Sequence, residues 1–263
     1  MKKLKLNELE STIKSSYRTM ALFEFFAEIQ RPATVAEICT GLQIPQSSTS
    51  TILKSLQDTA FLSFNPETRT YEPTMRMAFL SNWTIQKNAN ASKLPSILKE
   101  LREQVQETTV LALRNGIYSQ YIFVQHYDDL LGRHVETGSV RPLVTSATGW
   151  CLLKDESDFD IGKLIRRTVH DITDPDWQAD SENILARINT VRKKGYAVSS
   201  GETAQGAAGI AMNLPAKNIS AKLAIAVAGP TERILGREQE IIAEMKQAVS
   251  KLQDTITSEI LGQ

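Results

Sequence analysis

The chain has 263 residues, 30 basic and 30 acidic, with 41% hydrophobic and 23% charged residues. That length allows two domains with cores of their own, and the composition is globular rather than disordered. The zero formal net charge excludes a protein that coats nucleic acid by charge alone, but not one that reads DNA through one small face.

The opening stretch, MKKLKLNELEST, has lysines but no apolar run behind them, so it is not a secretory signal. A first helix is expected from Thr12 to Ile29, with Met20, Phe23, Phe26 and Ala27 on one side and Leu22, Phe25 and Ile29 extending it. Arg31-Pro32 ends it. Thr34 then starts a second helix, and Glu37 stands three residues on, the spacing of a capping box. Val35, Ile38, Cys39 and Leu42 keep a helical rhythm.

A third helix is expected over 46–58, after Ile44-Pro45. Thr49, Ile52, Leu53 and Leu56 make one stripe; Ser47, Ser50, Thr51 and Lys54 make another, about 200° away around the axis. One face packs, while the other offers short hydrogen-bonding groups that can enter a groove and donate to phosphates or base edges. Phe61–Phe64, the turn Asn65–Arg69 and Thr70–Pro73 read as a β-hairpin wing, with Arg69 near its tip. A helical stretch over 74–87 carries Met75, Met77, Phe79 and Trp83, and 88–92 reads as a linker.

The second half opens with a helix whose apolar positions are Leu94, Ile97, Leu98, Leu101 and Val105. Strands are expected at 109–114 and 117–125, joined by Asn115-Gly116, and at 131–137. Helices follow at 146–153, 158–168 and 181–194, the last stopped by Gly195. Strands at 196–200, 207–214 and 222–228 precede one long helix from Thr231 to Leu261, with Met245, Val249, Leu252, Ile256 and Ile260 on one side. This order suggests an α+β domain with an antiparallel or mixed sheet.

Chemistry-bearing residues are sparse. Cys39 and Cys151 stand in dissimilar settings, so no disulfide framework is expected and a reducing cytosol fits. His126, His134 and His170 lack metal-ligand spacing, and no nucleophile, base and orienting group recur together. Neither a catalytic site nor a cofactor is expected. No apolar run is long enough for a bilayer, so a cytoplasmic protein without a membrane partner is expected. Ala147, Thr148 and Gly149 are small, which suits either close packing or a ligand approaching backbone N–H groups. Trp150 is a core anchor or a pocket wall.

From about Ser15 onward the chain resembles the IclR family of bacterial transcription regulators. The resemblance rests on Arg18 with Met20, Leu22-Phe23 and Phe26-Ala27, on VAEICTGLQIPQSSTSTILKSL, and on the Tyr71 wing. It continues in ETGSVRPLVTSATGWCLL, VRKKGYAVSSGETAQGAAGIAMNLP and IAVAGPTERI. It implies a winged helix-turn-helix over 1–73, a linker helix and linker over 74–92, and a GAF-like effector-binding domain over 93–263. It also implies operator DNA as partner, a homodimer or dimer of dimers, and control by a small organic effector. Expected DNA contacts are Gln46, Ser47, Ser50, Thr51, Lys54, Arg69 and Arg18. Thr51 stands where the family often has Arg.

The family's effector positions map onto Ala147, Thr148, Ser199, Gly209, Ala226 and Ala228, with Leu143 and Trp150 as walls. Ala226 and Ala228 point to one face of a strand and bring no hydroxyl, so the expected effector has an apolar or aromatic surface rather than being a small keto acid. Arg141 lies close in sequence, its direction open. The competing reading is a GAF-like ligand-binding or enzymatic domain whose winged helix serves only dimerisation.

Overall fold

The computed structural model describes residues 14–86, 93–127, 135–171, 180–202, 205–214 and 222–261. The chain divides into two compact units, Lys5–Lys87 and Asn88–Gln263.

In the first unit, α1 (Lys14–Ile29) buries Leu22 and Phe26, with Phe23, Phe25 and Ile29 packed against them. Met20 is 61% exposed and Ala27 is also exposed, so two of the four residues expected inward face out. The reason is phase: Leu22 and Phe26 lie one turn apart, whereas Met20 is two residues from Leu22 and so about 200° around the helix. Thr12 lies outside the described residues. Ala33–Thr34 forms β1, a two-residue strand that the sequence pattern is too short to announce.

Thr34 caps α2 (Val35–Leu42) as expected: its hydroxyl accepts from the Glu37 N–H at 3.3 Å, and the Glu37 carboxylate accepts from the Thr34 N–H at 2.8 Å. α3 (Gln46–Asp58) follows, then β2 (Leu62–Asn65) and β3 (Thr70–Pro73), in a three-stranded antiparallel sheet ordered β1-β3-β2. At the wing tip the Asn65 side-chain oxygen accepts the N–H groups of Glu67 and Thr68, and Arg69 takes φ +54. Ile38, Leu53, Leu56 and Leu62 join α1 in one core. The next helix, α4 (Arg76–Gln86), starts two residues later than expected, because the Thr74 hydroxyl accepts the Arg76 N–H at 3.2 Å from outside the helix. The side chain of Trp83 and the linker 88–92 lie outside the described residues.

In the second unit a six-stranded sheet is ordered β6-β5-β4-β9-β8-β7, and every pair is antiparallel. Its strands are β4 (Thr108–Asn115), β5 (Tyr118–Gln125), β6 (Val140–Pro142), β7 (Tyr196–Ser200), β8 (Ala207–Asn213) and β9 (Leu223–Pro230). One face carries α5 (Leu94–Val105) and α10 (Glu238–Leu261) over Leu111, Ile210, Met212, Ile225 and Val227. The other face carries α6 (Ala147–Leu153), α7 (Asp158–Asp171) and α8 (Ser181–Lys194) over Val110, Ala197, Ala211, Ala224 and Ala226.

Three expectations need correction. The β4–β5 turn is shifted by one residue: Asn115 pairs with Tyr118, leaving Gly116-Ile117 as the loop. Gly116 has φ +61 and Ile117 is not left-handed, which is a type II′ rather than an Asn-Gly type I′ turn. The third strand is 140–142; residues 135–137 are not strand, and 131–134 lie outside the described residues. The C-terminal helix is two helices, α9 (Thr231–Gly236) and α10. Arg237 leaves helical geometry at φ −120, ψ 23, and its guanidinium donates to the Val105 carbonyl at 2.9 Å. Met245 and Leu252 are buried as expected, and the side chains of Ile256 and Ile260 lie outside the described residues.

Candidate nucleic-acid interface and effector site

The two faces of α3 separate as the sequence predicts. Thr49, Leu53 and Leu56 are buried, and Ile52 is partly buried against the same core. Gln46, Ser47, Ser50, Thr51 and Lys54 are all exposed.

The hydroxyls on that outer face are not equivalent. Thr51 donates to the Ser47 carbonyl at 3.0 Å, Ser55 to the Thr51 carbonyl at 3.0 Å, and Thr59 to the Ser55 carbonyl at 2.7 Å. Three side chains along one line of the helix are thus turned back on its backbone, a habit of Ser and Thr within helices. The Thr51 hydrogen is thus engaged within the helix, whereas among the described residues no such bond holds the Ser47 or Ser50 hydroxyl. Lys54 stands 3.8 Å from Asp58 with both side chains well exposed, so this ion pair holds the amine only weakly.

Arg69 is exposed at the wing tip, held there by the left-handed turn. Arg18 is half-buried. It lines a gap of about 10 Å³ with Leu22, Ile38, Leu42, Ile44, Thr49 and Ile52, and its Nε finds no acceptor among the described residues. It therefore sits behind α3, against the packed side of that helix.

The inner face of the large sheet resolves into cross-strand rows. Ser199, Gly209, Ala228 and Thr108 are direct partners on four adjacent strands. The next row is Ala197, Ala211, Ala226, Val110 and Val124. Three of the expected effector positions thus share a row, and Ala226 stands in the next. A Cβ added at Gly209 would meet the Val227 carbonyl oxygen only at 3.5 Å, an ordinary contact, so nothing nearby forbids a side chain there.

α6 is seated on the second row. The Cys151 sulfur donates to the Ala211 carbonyl at 3.3 Å, and small residues below let the helix lie close. Burial pushes that thiol up to about 12, so Cys151 is a packed side chain rather than a nucleophile. Leu143 is fully buried. The Trp150 indole N–H donates to the Val144 carbonyl at 2.8 Å, and the Arg187 guanidinium covers its ring at 5.1 Å. Arg187 in turn pairs with Glu202 at 3.0 Å, just beyond β7.

The Thr148 side chain is buried among neighbouring hydroxyls. The Ser119 hydroxyl donates to it at 2.9 Å, and Ser119 is the β5 partner of Arg141. Arg141 is 5% exposed, with its guanidinium carbon 5.4 Å from the centre of the Tyr121 ring. Burial lowers its pKa from the ordinary value, which Tyr121 partly offsets, and burial raises that of Tyr121. Sequence reasoning missed Ser119, Tyr121 and Thr108. Ser119 is placed by the register of the short edge strand β6 and Thr108 by that of β4 on β9, and neither register can be read from the sequence pattern.

Among the described residues no group of three or more His, Cys, Asp or Glu is placed to hold a metal ion, and no helix is long and apolar enough to cross a membrane.

Residues 79–254 match the family profile described as the bacterial transcriptional regulator IclR C-terminal domain, and residues 17–66 match the IclR helix-turn-helix domain. The chain belongs to the IclR family. It is a transcriptional regulator with a DNA-binding helix-turn-helix and a C-terminal effector domain, not an enzyme. The chain is 24% identical over 226 residues to a probable transcriptional regulator, SauR, of Cupriavidus necator, covering 84% of this chain and 87% of that one. It is 23% identical over 217 residues to the transcriptional repressor AllR of Escherichia coli, covering 82% and 80%.

Among solved structures, an IclR effector domain from Acinetobacter sp. ADP1 aligns with TM-score 0.58 at 25% identity, covering 62% of this chain and 95% of that one. An IclR homologue from Microbacterium hydrocarbonoxydans, complexed with 4-hydroxybenzoate, aligns with TM-score 0.63 at 14% identity, covering 93% and 99%. The two family profiles favour a DNA-binding regulator over a GAF-like ligand-binding or enzymatic domain whose winged helix serves only dimerisation.

Proposed function

We propose that this IclR-type regulator inserts α3 into the major groove of an operator and is released or locked there by a small organic effector in the second unit. The carrying observation is the exposed row Gln46, Ser47, Ser50, Thr51 and Lys54 opposite the buried Thr49, Leu53 and Leu56. Arg69 reaches the phosphate backbone from the wing, and Arg18 supports α3 from behind. The regulator acts in the cytoplasm, where its operator is. A gel shift on DNA from upstream of its own coding sequence, at stated salt, tests this. The triple variant Ser47→Ala, Ser50→Ala, Thr51→Ala is expected to lose the shift while melting like the wild type. A retained shift overturns the placement of α3.

Operator reading requires two copies, as a dimer or a dimer of dimers. The support is α4. No residue from Arg76 to Asn82 is buried, Met75, Phe79 and Leu80 are 68%, 69% and 54% exposed, and Arg76 is the helix's only charge. A helix this short gains little stability alone in water, and its apolar side asks for cover. Light scattering is expected to find a dimer or larger, on and off DNA; a monomer in both states removes this reading.

The effector lies over Ser199, Gly209 and Ala228, with Ala226, Ala147 and Thr148 at its edge and Leu143 and Trp150 behind. The complex of the Microbacterium homologue with 4-hydroxybenzoate supports an effector with an aromatic surface. A thermal-shift screen of aromatic acids and apolar metabolites tests it, because a specific ligand raises the melting temperature as its concentration passes Kd.

A further inference from the structure

We infer that Thr51 reads a thymine through its methyl group and not through its hydroxyl. The inference rests on α3 being the helix that enters the major groove. Thr51 is exposed on that helix, yet its Oγ1 donates to the Ser47 carbonyl at 3.0 Å. The bond uses the one hydrogen the side chain can give. With the hydroxyl hydrogen engaged on the helix backbone, the methyl group is the apolar contact that this exposed side chain has to offer a partner.

The neighbours sharpen the contrast. Ser47 and Ser50 are exposed on the same face and have no methyl group. Lys54 supplies charge one turn further on. The face therefore offers one apolar contact point among groups suited to phosphates and polar base edges. In the major groove only thymine presents a methyl group, and contact of a threonine methyl with it is a recognised means of readout. Cytosine at the same position lacks that methyl and presents an amino hydrogen instead, and purines present N7.

The experiment uses the full chain and a duplex that the chain itself selects from a random library. Each thymine of the selected site is replaced in turn by deoxyuridine, which removes one methyl group and leaves the pairing intact. Wild type is expected to lose about fourfold in affinity at one thymine per half-site, the worth of one buried methyl group. Thr51→Val keeps a methyl in the same branched shape and is expected to retain both the affinity and the thymine preference. Thr51→Ser keeps the hydroxyl and is expected to bind thymine and deoxyuridine duplexes equally.

Melting curves establish that both variants fold, which their exposed position favours. If Thr51→Ser binds like wild type while Thr51→Val fails, the hydroxyl is the reader and the inference is overturned. It is equally overturned if every thymine-to-deoxyuridine penalty survives in Thr51→Ser. If the wild type selects no duplex at all, the DNA-reading role of α3 falls, and this inference falls with it.

Discussion

Gly149 of α6 is pressed against the backbone of Leu143 so closely that a Cβ there would stand 2.0 Å from the Leu143 carbonyl oxygen and 2.4 Å from its Cα. The short 3-10 turn Leu143–Thr145 thus folds directly onto the helix it precedes, with the Ser146 hydroxyl accepting the Gly149 N–H at 3.1 Å. This contact fixes where α6 starts and therefore how it lies on the sheet. Gly149→Ala must move one backbone segment or the other. It is expected to destabilise the second unit by about 3 kcal/mol or more, the upper range for overpacking. Urea unfolding measures it; a variant as stable as wild type would contradict the close approach.

The sequence makes this glycine visible as small, but not why it has to be. Periodicity finds α2, α3, α5, α7 and α8 because each buries a regular stripe, whereas all seven residues of α6 are buried. It fails where the determinant is not periodic. Ala33–Thr34 is too short to alternate, and the break at Arg237 depends on a guanidinium reaching a carbonyl far away in sequence. Met20 reads as inward because it is apolar, although α1 has enough apolar residues to choose a different face. At the effector site, Ser199, Gly209 and Ala228 can be named in sequence, but their alignment in a row is a matter of strand register. The inward turn of Arg141 onto Tyr121 is likewise beyond pattern reading.

The α2 cap carries a pH dependence. The backbone N–H of Thr34, then the guanidinium of Arg31 and the hydroxyl of Thr34, hold the Glu37 carboxyl down to about 2 from the ordinary 4.5. A carboxyl whose folded pKa is depressed contributes its full stabilisation above the unfolded value and loses it as pH falls through the folded one. Glu37→Gln is therefore expected to be less stable than wild type at neutral pH, and the gap should close between pH 4.5 and about 2. Unfolding curves at several pH values give the answer; a gap independent of pH would mean the charge is not what stabilises the cap.

Arg69 gives a test that separates phosphate contact from base reading. Each neutralised phosphate contributes about 0.9 to the slope of log affinity against log salt. In a dimer with two engaged wings, Arg69→Ala should lower the magnitude of that slope by about 1.8 while leaving the preferred duplex the same. Anisotropy titrations at several salt concentrations check it. An unchanged slope places the wing away from the backbone.

The effector row makes a directional claim. Ala228 lies beside Gly209 and Thr108 in the outer row and is only partly buried, whereas Ala226 lies one row inward, under the helices. A branched side chain at Ala228 projects into the space assigned to the effector and alters no residue of the first unit. Ala228→Leu is thus expected to abolish the thermal shift given by the best screened effector and to leave effector-free operator binding near wild type. The double change Ala226→Ser, Ala228→Ser adds two hydroxyls on one face of one strand. A buried carboxylate without partners is costly, and hydroxyl donors reduce that cost. That variant is therefore expected to bind small carboxylates better than wild type does. Calorimetry decides both points. Tight wild-type binding of a two- or three-carbon keto acid would contradict the apolar character assigned to this row, and an effector shift that survives Ala228→Leu would place the effector elsewhere.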